Sequence, residues 1–223
     1  MNRSLATSVP RPARGRAAAS AHLQQDSSWR PALVLGASSL LLLGLAYAVA
    51  TTSVSGLLFP AQAEGSLLLR DGQVRGSKLI AQPFVGDGYF QARPSAANYD
   101  PMAAAGSNMA RSNPALQERV QASITAVTAR EGVPAAQVPG DLVTQSGAGM
   151  DPELSPAAAQ VQIARVARSR GLPVDQVAAL VKAHTLGPQW GVFGQPRVNV
   201  MTLNLALDTQ DGQPGSARLY GTR

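Results

Sequence analysis

The longest apolar stretch of the chain lies near its N-terminus and carries no charge. It covers residues 31–63, between Arg30 and Glu64. Its most apolar part, residues 32–54, would span about 35 Å as a helix, enough to cross a bilayer core of about 30 Å. A helix also satisfies its own backbone N–H and C=O groups where no water can reach them. The pattern therefore predicts a transmembrane helix over residues 31–59.

Two other interpretations of this stretch stay open. A buried helix of a soluble protein fits poorly, because so long a run without a charge exceeds what a core helix needs. A cleavable signal peptide is the stronger rival, because Ala46-Tyr47-Ala48 and Ala61-Gln62-Ala63 both fit the small-x-small cleavage pattern. The apolar region is longer than the roughly 7–15 residues of a signal peptide, which favours a retained anchor. Gly36 and Gly44 would let a partner helix approach closely, although glycine is also simply common in membrane helices.

Behind this stretch, the spacing of apolar residues changes between strand and helix patterns. Asp71-Gly72 lies between two short apolar runs, a pattern typical of a β-hairpin. Two helices are predicted to begin at Asn113-Pro114 and Ser155-Pro156, since each pair joins a favoured N-cap to a proline and precedes apolar residues at three- to four-residue spacing. The second of these is expected to continue to Arg170. A third helix is expected after Pro173.

The remaining pattern completes the predicted architecture. Alternating apolar residues over 198–207 predict a last strand, with a change of phase that fits a bulge. Residues 86–113 form a long irregular segment rich in Gly, Pro, Asn and Ser, which is unusual in a compact domain unless it binds something or is disordered. The predicted parts are a disordered basic tail over 1–30, the transmembrane helix over 31–59, an α+β (mixed α/β) domain over 60–208 and a loose tail over 209–223.

Positive charge is concentrated at the N-terminus. The net charge of the chain is +6, and residues 1–30 carry five arginines against one aspartate, a net of +4. Short basic flanks stay on the cytoplasmic side of a membrane helix, so we expect a cytoplasmic N-terminus and an extracytoplasmic domain at the inner (plasma) membrane. Nucleic acid is not an expected partner, because Trp29 is the only aromatic residue of the tail and fits the membrane edge. The chain has no cysteine, so it can form neither a disulfide nor a thiolate metal site.

Residues suited to catalysis are few. The two histidines are His22, in the basic tail, and His184, near a helix end where we expect it to pack or cap. The sequence contains neither a Gly-x-x-x-x-Gly-Lys-[Ser/Thr] phosphate loop nor a Gly-x-Ser-x-Gly elbow. Asp151 and Glu153 lie at a helix start, where carboxylates complement the helix dipole. The residues therefore indicate a membrane-anchored interaction domain rather than an enzyme, with a free-standing anchored or secreted enzyme or binding protein as the alternative.

Several short pieces of the chain resemble, in order, the KdpC family of the Kdp potassium-transporting P-type ATPase. They follow one N-terminal membrane span and reach from about Arg30 to Asp208. No single piece is specific, but their order is. The pieces are residues 60–75 ending in VRGS, Gly88-Tyr89-Phe90, Arg93-Pro94-Ser95-Ala96, Gly106-Ser107-Asn108, Ser112-Asn113-Pro114, Leu142-Val143-Thr144, Met150-Asp151-Pro152, Leu154-Ser155-Pro156, residues 162–171, residues 194–200, Leu203-Asn204 and Ala206-Leu207-Asp208.

The resemblance implies a non-catalytic, single-span subunit of an ATP-driven potassium uptake system. Such a subunit assembles with a potassium-binding channel-like subunit and an ATP-hydrolysing P-type ATPase subunit, and acts as a catalytic chaperone that raises the ATP affinity of the latter. It implies no firmly bound cofactor. Gln162 matches the glutamine assigned to an ATP contact, although Val161 and Ala164 replace the family's usual aromatic residue and proline.

The predicted topology conflicts with an ATP contact, because it places Gln162 outside the cytoplasm, where ATP is scarce. The other interpretation is that Gln162 holds a neighbouring loop by side-chain hydrogen bonds.

The long irregular segment supplies a second candidate site. We hypothesise that its polar and aromatic residues dock on the extracytoplasmic side of the channel-like subunit. The alternative is a self-packed loop that only braces the domain. The candidate docking residues are Tyr89, Phe90, Arg93, Ser107 and Asn108.

Overall fold

The computed structural model describes residues 29–210, and the chain divides after Thr51 into two compact units. All described residues of the first unit belong to helix α1, which runs over Trp29–Leu58, past the boundary at Thr51, with a π-helical segment at Leu40–Ala46. The mean hydropathy of its most apolar window is 2.1, and none of that window is buried. The helix is long and apolar enough to cross a membrane, in agreement with the sequence pattern.

The predicted hairpin follows a short helix, α2 (Pro60–Ala63). Strands β1 (Leu67–Arg70) and β2 (Gln73–Ser77) pair in antiparallel fashion. Asp71 and Gly72 at the turn have φ of +53° and +73°, the positive values that a tight two-residue hairpin turn requires. The hairpin prediction is confirmed.

Residues 86–113 form the irregular segment that the sequence predicted, here called the long loop. A single turn of 3₁₀-helix at Pro101–Ala103 is its only regular piece, and the Asp100 side chain caps that turn by accepting from the N–H of Met102. Helix α3 (Pro114–Glu131) follows directly. Its predicted signals are confirmed, since the Asn113 side chain accepts from a backbone N–H of the first turn and Gly132, at φ +70°, ends the helix.

The second predicted helix is present but divided. It forms α4 (Pro156–Gln160) and α5 (Ile163–Arg170), with Val161 and Gln162 between them in a looser turn. The third is confirmed as α6 (Val174–Ala183). Strands β3 (Glu153–Leu154), β4 (Thr185–Leu186) and β5 (Arg197–Asn199) make a small antiparallel sheet in the order β3-β5-β4.

The predicted strand over 198–207 is wrong beyond Asn199. The chain turns there into helix α7 (Val200–Gln210), and the Asn199 side chain accepts from the N–H of Thr202 at 3.0 Å, as an N-cap does. Val200, Leu203 and Leu207 are fully buried at helical spacing, so burial of one helix face outweighed the alternation that suggested a strand.

The helix includes residues 209 and 210 of the predicted C-terminal tail. Residues 211–223 of that tail and residues 1–28 of the predicted basic tail lie outside the described part of the chain. The second unit is a mixed helix-and-strand domain, as predicted. Its hydrophobic core includes Phe90 from the long loop, Val166 from α5, Val177 from α6 and Leu203 from α7.

Candidate functional site

The start of the long loop is held to the core by Asn204 of α7. The Asn204 side chain is fully buried and bonds both backbone groups of Phe90, accepting from its N–H at 2.9 Å and donating to its carbonyl at 2.9 Å. The Phe90 ring has no exposed surface and lies in the core. Phe90 is therefore a core residue, and the structure removes its ring from the predicted docking residues.

Gln162 holds the next residue of the loop in the same two-sided way. Its Oε1 accepts from the N–H of Gln91 at 2.8 Å, and its Nε2 donates to the Gln91 carbonyl at 3.2 Å. Nε2 also donates to the carbonyl of Ala158 at 3.1 Å, and Oε1 accepts from Arg165 Nη2 at 2.9 Å. The side chain is fully buried, and each of its polar atoms has two protein partners, which leaves it no surface to offer a ligand in this conformation.

Arg165 extends this support through a buried ion pair. Its Nε lies 2.9 Å from Glu131 at the end of α3, and neither side chain is more than 3% exposed. Its Nη1 donates to the carbonyls of Asp87 at 2.6 Å and Tyr89 at 2.9 Å. A buried guanidinium needs a carboxylate and carbonyl acceptors to offset its lost hydration, and here the two carbonyls fix the path of the loop just before Gln91.

Tyr89 lies in a second charged cluster, formed with Arg170, Asp208 and Arg70. The Arg170 guanidinium stacks on its ring at 4.6 Å and pairs with Asp208 of α7 at 2.9 Å. Arg70 of β1 approaches the same carboxylate at 3.5 Å. Burial, together with the negative charge of Asp208, raises the pKa of the Tyr89 hydroxyl above its ordinary value of 10.0. Tyr89 is half-buried, so only part of its ring faces solvent.

The later part of the long loop wraps around residues 144–151, here called the bracing segment. Arg93 pairs with Asp151 at 3.0 Å, and the Ser95 hydroxyl donates to the Gly149 carbonyl at 2.6 Å. A Cβ on Gly106 would lie 2.7 Å from the Gly147 carbonyl oxygen, so the two backbones meet where only glycine fits. Two separate parts of the loop thus rest on one segment.

Tyr99 joins two parts of the long loop by a hydrogen bond within the loop itself. Its hydroxyl donates to the Arg93 carbonyl at 2.7 Å. Burial raises the pKa of this hydroxyl above 10.0, and the charge of Arg130 opposes the shift. The phenol therefore stays protonated and donating over the whole neutral range.

The predicted docking residues fall into three groups. Arg93 pairs with the bracing segment, whereas Ser107 and Asn108 directly follow Gly106, whose backbone meets that segment. Asn108 is exposed with a φ of +49°. Tyr89 lies apart from them, beside Arg170. Phe90 is internal. Sequence reasoning missed Met102, the most exposed large apolar residue of the loop at 92%.

Asp151 and Glu153 do not lie at a helix start, where their carboxylates were predicted to complement the helix dipole. Asp151 pairs with Arg93, and Glu153, in strand β3, pairs with Arg197 at 2.8 Å, because both residues precede the first turn of α4. The α4 cap is Ser155, whose hydroxyl accepts from the N–H of Ala158. His184 caps α6 as expected, with Nδ1 3.0 Å from the Leu180 carbonyl.

Sequence reasoning also missed Glu131 and Asp208. Glu131 is the last residue of α3, where a carboxylate opposes the helix dipole, and an acidic residue in that position signals a compensating cation elsewhere. No local signal pointed to Asp208, because its partners Arg70 and Arg170 are distant in sequence.

Comparison with known proteins identifies the family. A family model described as "KdpC: K+-transporting ATPase, c chain" matches residues 29–209. The chain is 54% identical over 195 residues to the "Potassium-transporting ATPase KdpC subunit" of Xanthomonas campestris pv. campestris strain B100, covering 87% of this chain and 93% of the relative.

Relatives with the same name give similar values. The identity is 56% over 201 residues in Xanthomonas oryzae pv. oryzae strain MAFF 311018, covering 90% of this chain and 96% of that one. It is 57% over 165 residues in Shewanella putrefaciens strain CN-32, covering 74% and 83%. The resemblance inferred from the ordered sequence pieces is confirmed. The chain belongs to the KdpC family, whose members are accessory subunits of the K+-transporting ATPase.

Proposed function

We propose that this chain is a non-hydrolytic subunit that assembles with the potassium-binding channel-like subunit and the ATP-hydrolysing P-type ATPase subunit of a Kdp complex. Its family membership supports a place in that complex. The observation that carries the proposal is the long loop, which is held by side-chain and backbone contacts at Phe90, Gln91 and Gly106 yet keeps residues 101–105 and Asn108 exposed. A loop held this firmly loses little conformational entropy on binding, so it suits a docking role.

The docking surface comprises Arg93, Met102, Ser107 and Asn108. Asn108 is exposed at a left-handed backbone position, and Met102 projects from a capped turn. Residues 101–105 are all exposed and apolar apart from their backbone. A flexible methionine beside fixed polar groups is a common composition for a protein-binding surface.

The proposed topology has the N-terminus in the cytoplasm and the domain outside the inner membrane. It is supported by five arginines within residues 1–30 and by the uncharged helix α1 that follows. Because the chain contains no cysteine, one introduced thiol reports one position. Leu79→Cys should react with a membrane-impermeant maleimide on intact cells, because Leu79 is 63% exposed and lies outside the docking surface, and Ser20→Cys should react only after lysis. The opposite pattern would overturn the topology.

We further propose that the chain raises the ATP affinity of the ATP-hydrolysing subunit through assembly rather than through a nucleotide contact of its own. The complete burial of Gln162 and the protein partners on both of its polar atoms support this indirect route. The complex should therefore lose apparent ATP affinity when docking is weakened by a surface substitution that leaves Gln162 untouched. Unchanged affinity in such a complex would contradict the indirect route.

The assembly itself is tested by copurification from potassium-starved cells. The chain is tagged at its C-terminus, and membranes are solubilised in mild detergent. We expect to recover a large multi-span protein and a P-type ATPase together with a chain of intact N-terminus. A lone soluble domain beginning near Glu64 would overturn both the anchor and the assembly.

A matched pair of substitutions tests the docking surface. Asn108→Gly removes the amide and keeps a residue that tolerates positive φ. Asn98→Gly makes the same change at another exposed loop asparagine, with φ +51°, that lies outside the docking surface. Asn108→Gly, alone or with Met102→Ala, should reduce copurification of the channel-like subunit, while Asn98→Gly should not. Equal recovery with all variants would refute the docking surface.

A further inference from the structure

The connection between β4 and β5 ends in a small hairpin that the fold does not bury. Here the aromatic tip means residues Gln189–Phe193. Gln189 and Phe193 exchange two backbone hydrogen bonds, of 2.7 and 3.0 Å, and the N–H of Val192 donates to the Gln189 carbonyl at 3.2 Å. The rings of Trp190 and Phe193 meet edge to face, with centroids 6.0 Å apart. The tip is therefore a defined turn with an aromatic pair on it.

Trp190 occupies a backbone position that disfavours it. Its φ is +54°, and that of Gly191 is +77°, the pattern of a tight hairpin turn that normally places Asn, Asp or Gly at both positions. A bulky residue at positive φ is a strained choice, and such strain is concentrated at binding and functional sites. Burial in the core does not offset this backbone strain, because 83% of the Trp190 surface is exposed.

The tip is apolar and uncharged as well as exposed. Val192 and Phe193 are 77% and 61% exposed, and residues 185–196 contain no charged side chain. Surfaces that bind anionic lipid carry lysine or arginine beside their apolar residues, and none is present on this segment. Tryptophan in a rigid, uncharged setting is instead typical of the residues that contribute most to protein–protein interfaces.

A groove reaches from the aromatic tip to Arg93, one residue of the docking surface. The groove has a volume of about 580 Å³, and its lining includes Phe193 and Gly194 from the end of the tip as well as Arg93. A protein that covers Arg93 can therefore continue across this groove to reach the tip. The groove supplies polar groups and the tip an apolar anchor, which is the usual arrangement of an interface centre and its surroundings.

We propose that the aromatic tip inserts into an apolar recess on the extracytoplasmic side of the channel-like subunit, as a second anchor beside the docking surface. This inference rests on the proposed function and names a contact that the long loop does not make. Trp190 fills the recess, and Phe193 holds its ring in position. The turn is already formed in the free chain, so little ordering is required on binding.

The first test replaces Trp190 with a photoreactive benzoylphenylalanine in the full-length chain, coexpressed with the other subunits. Irradiation of the intact complex in membranes should join position 190 to the channel-like subunit. Adducts with lipid alone, or an adduct with neither lipid nor that subunit, would overturn the inference. A crosslink from position 108 in the same complex reports separately on the docking surface.

The second test measures how firmly the partner is held. Trp190→Gly removes the ring and relieves the strained φ, so the chain should fold at least as well. It should release the channel-like subunit at least tenfold faster during detergent washing, as should Phe193→Ala. Leu79→Ala is the matched control, because Leu79 is 63% exposed and lies outside both surfaces.

The outcomes separate the two proposals. Release of the partner from Trp190→Gly at the rate of the control would overturn the inference and leave the proposed function standing. Failure of the unsubstituted chain to retain any partner would overturn both.

Discussion

Replacing Gln162 with alanine tests whether this residue holds the long loop. The substitution removes four hydrogen bonds made by one fully buried side chain. The Ala158 carbonyl loses one donor. Three further groups lose their hydrogen bonds to the Gln162 side chain: the N–H and the carbonyl of Gln91, and Nη2 of Arg165. The loop should then loosen at Gln91, and the Arg165 charge should be less well compensated.

The expected cost follows from those groups. An unsatisfied buried polar group costs about 1–3 kcal/mol, and more when it is charged. Counting about 1 kcal/mol for each backbone group of Gln91, which can regain some water, and about 2 kcal/mol for Arg165 predicts a loss of about 4 kcal/mol. For a domain of this size that corresponds to a fall in Tm of about 8–16 °C.

Thermal unfolding of the full chain in detergent measures this loss, with near-ultraviolet circular dichroism reporting the loop tyrosines. Gln160→Ala is the control, because Gln160 has the same side chain two residues away but is exposed. It should shift stability by no more than about 0.5 kcal/mol. If Gln162→Ala melts within about 2 °C of the unsubstituted chain, the reasoning is refuted, since about 2–4 °C is expected for each kcal/mol.

Three further predictions concern the contacts around the loop. Asp208→Asn weakens a buried pair with Arg170 and should cost about 3 kcal/mol in chemical unfolding, whereas an unchanged midpoint would show that the pair adds nothing. Burial raises the pKa of Tyr99 above 10.0, so above pH 10 the folded chain keeps a proton that the unfolded chain loses. The contribution of Tyr99 to the free energy of unfolding is therefore complete below pH 10 and should fall as the pH rises further. Tyr99→Phe should reduce the fall in Tm between pH 8 and 11, and a fall equal to that of the unsubstituted chain would contradict this. Gly149→Ala places a Cβ 2.8 Å from a loop carbonyl at φ +74° and should lower stability by about 2 kcal/mol, while Gly140→Ala, which meets nothing within 4 Å, should have little effect.

These contacts show how the described domain supports its exposed loop. Asn204 from α7 and Gln162 beside α5 each bond both backbone groups of a loop residue, at Phe90 and Gln91. A neighbouring β-strand would bond the same backbone N–H and C=O groups, so here two amide side chains supply the hydrogen bonds that a sheet would otherwise provide. A segment without regular structure is thereby given a definite path, which a docking role requires.

The sequence alone determined the elements whose signals are local. Helix α1 follows from an uncharged run longer than a bilayer core, and the hairpin follows from Asp71-Gly72. Helix α3 follows from a cap and a stop that lie within its own ends, at Asn113 and Gly132. In each case the deciding interactions join residues close in sequence, or the side chain and the solvent around it.

Tertiary structure alone decided the elements whose signals are distant. Residues after Asn199 became a helix because Val200, Leu203 and Leu207 share a buried face, although their alternation also suited a strand. The helix predicted from Ser155 to Arg170 divides at Gln162, whose amide bonds a loop residue 71 positions earlier. The partners of buried polar groups are set by where the chain returns in space, because desolvation penalises any such group that finds no partner there. The composition and periodicity of a sequence do not specify which distant residues meet in the folded chain.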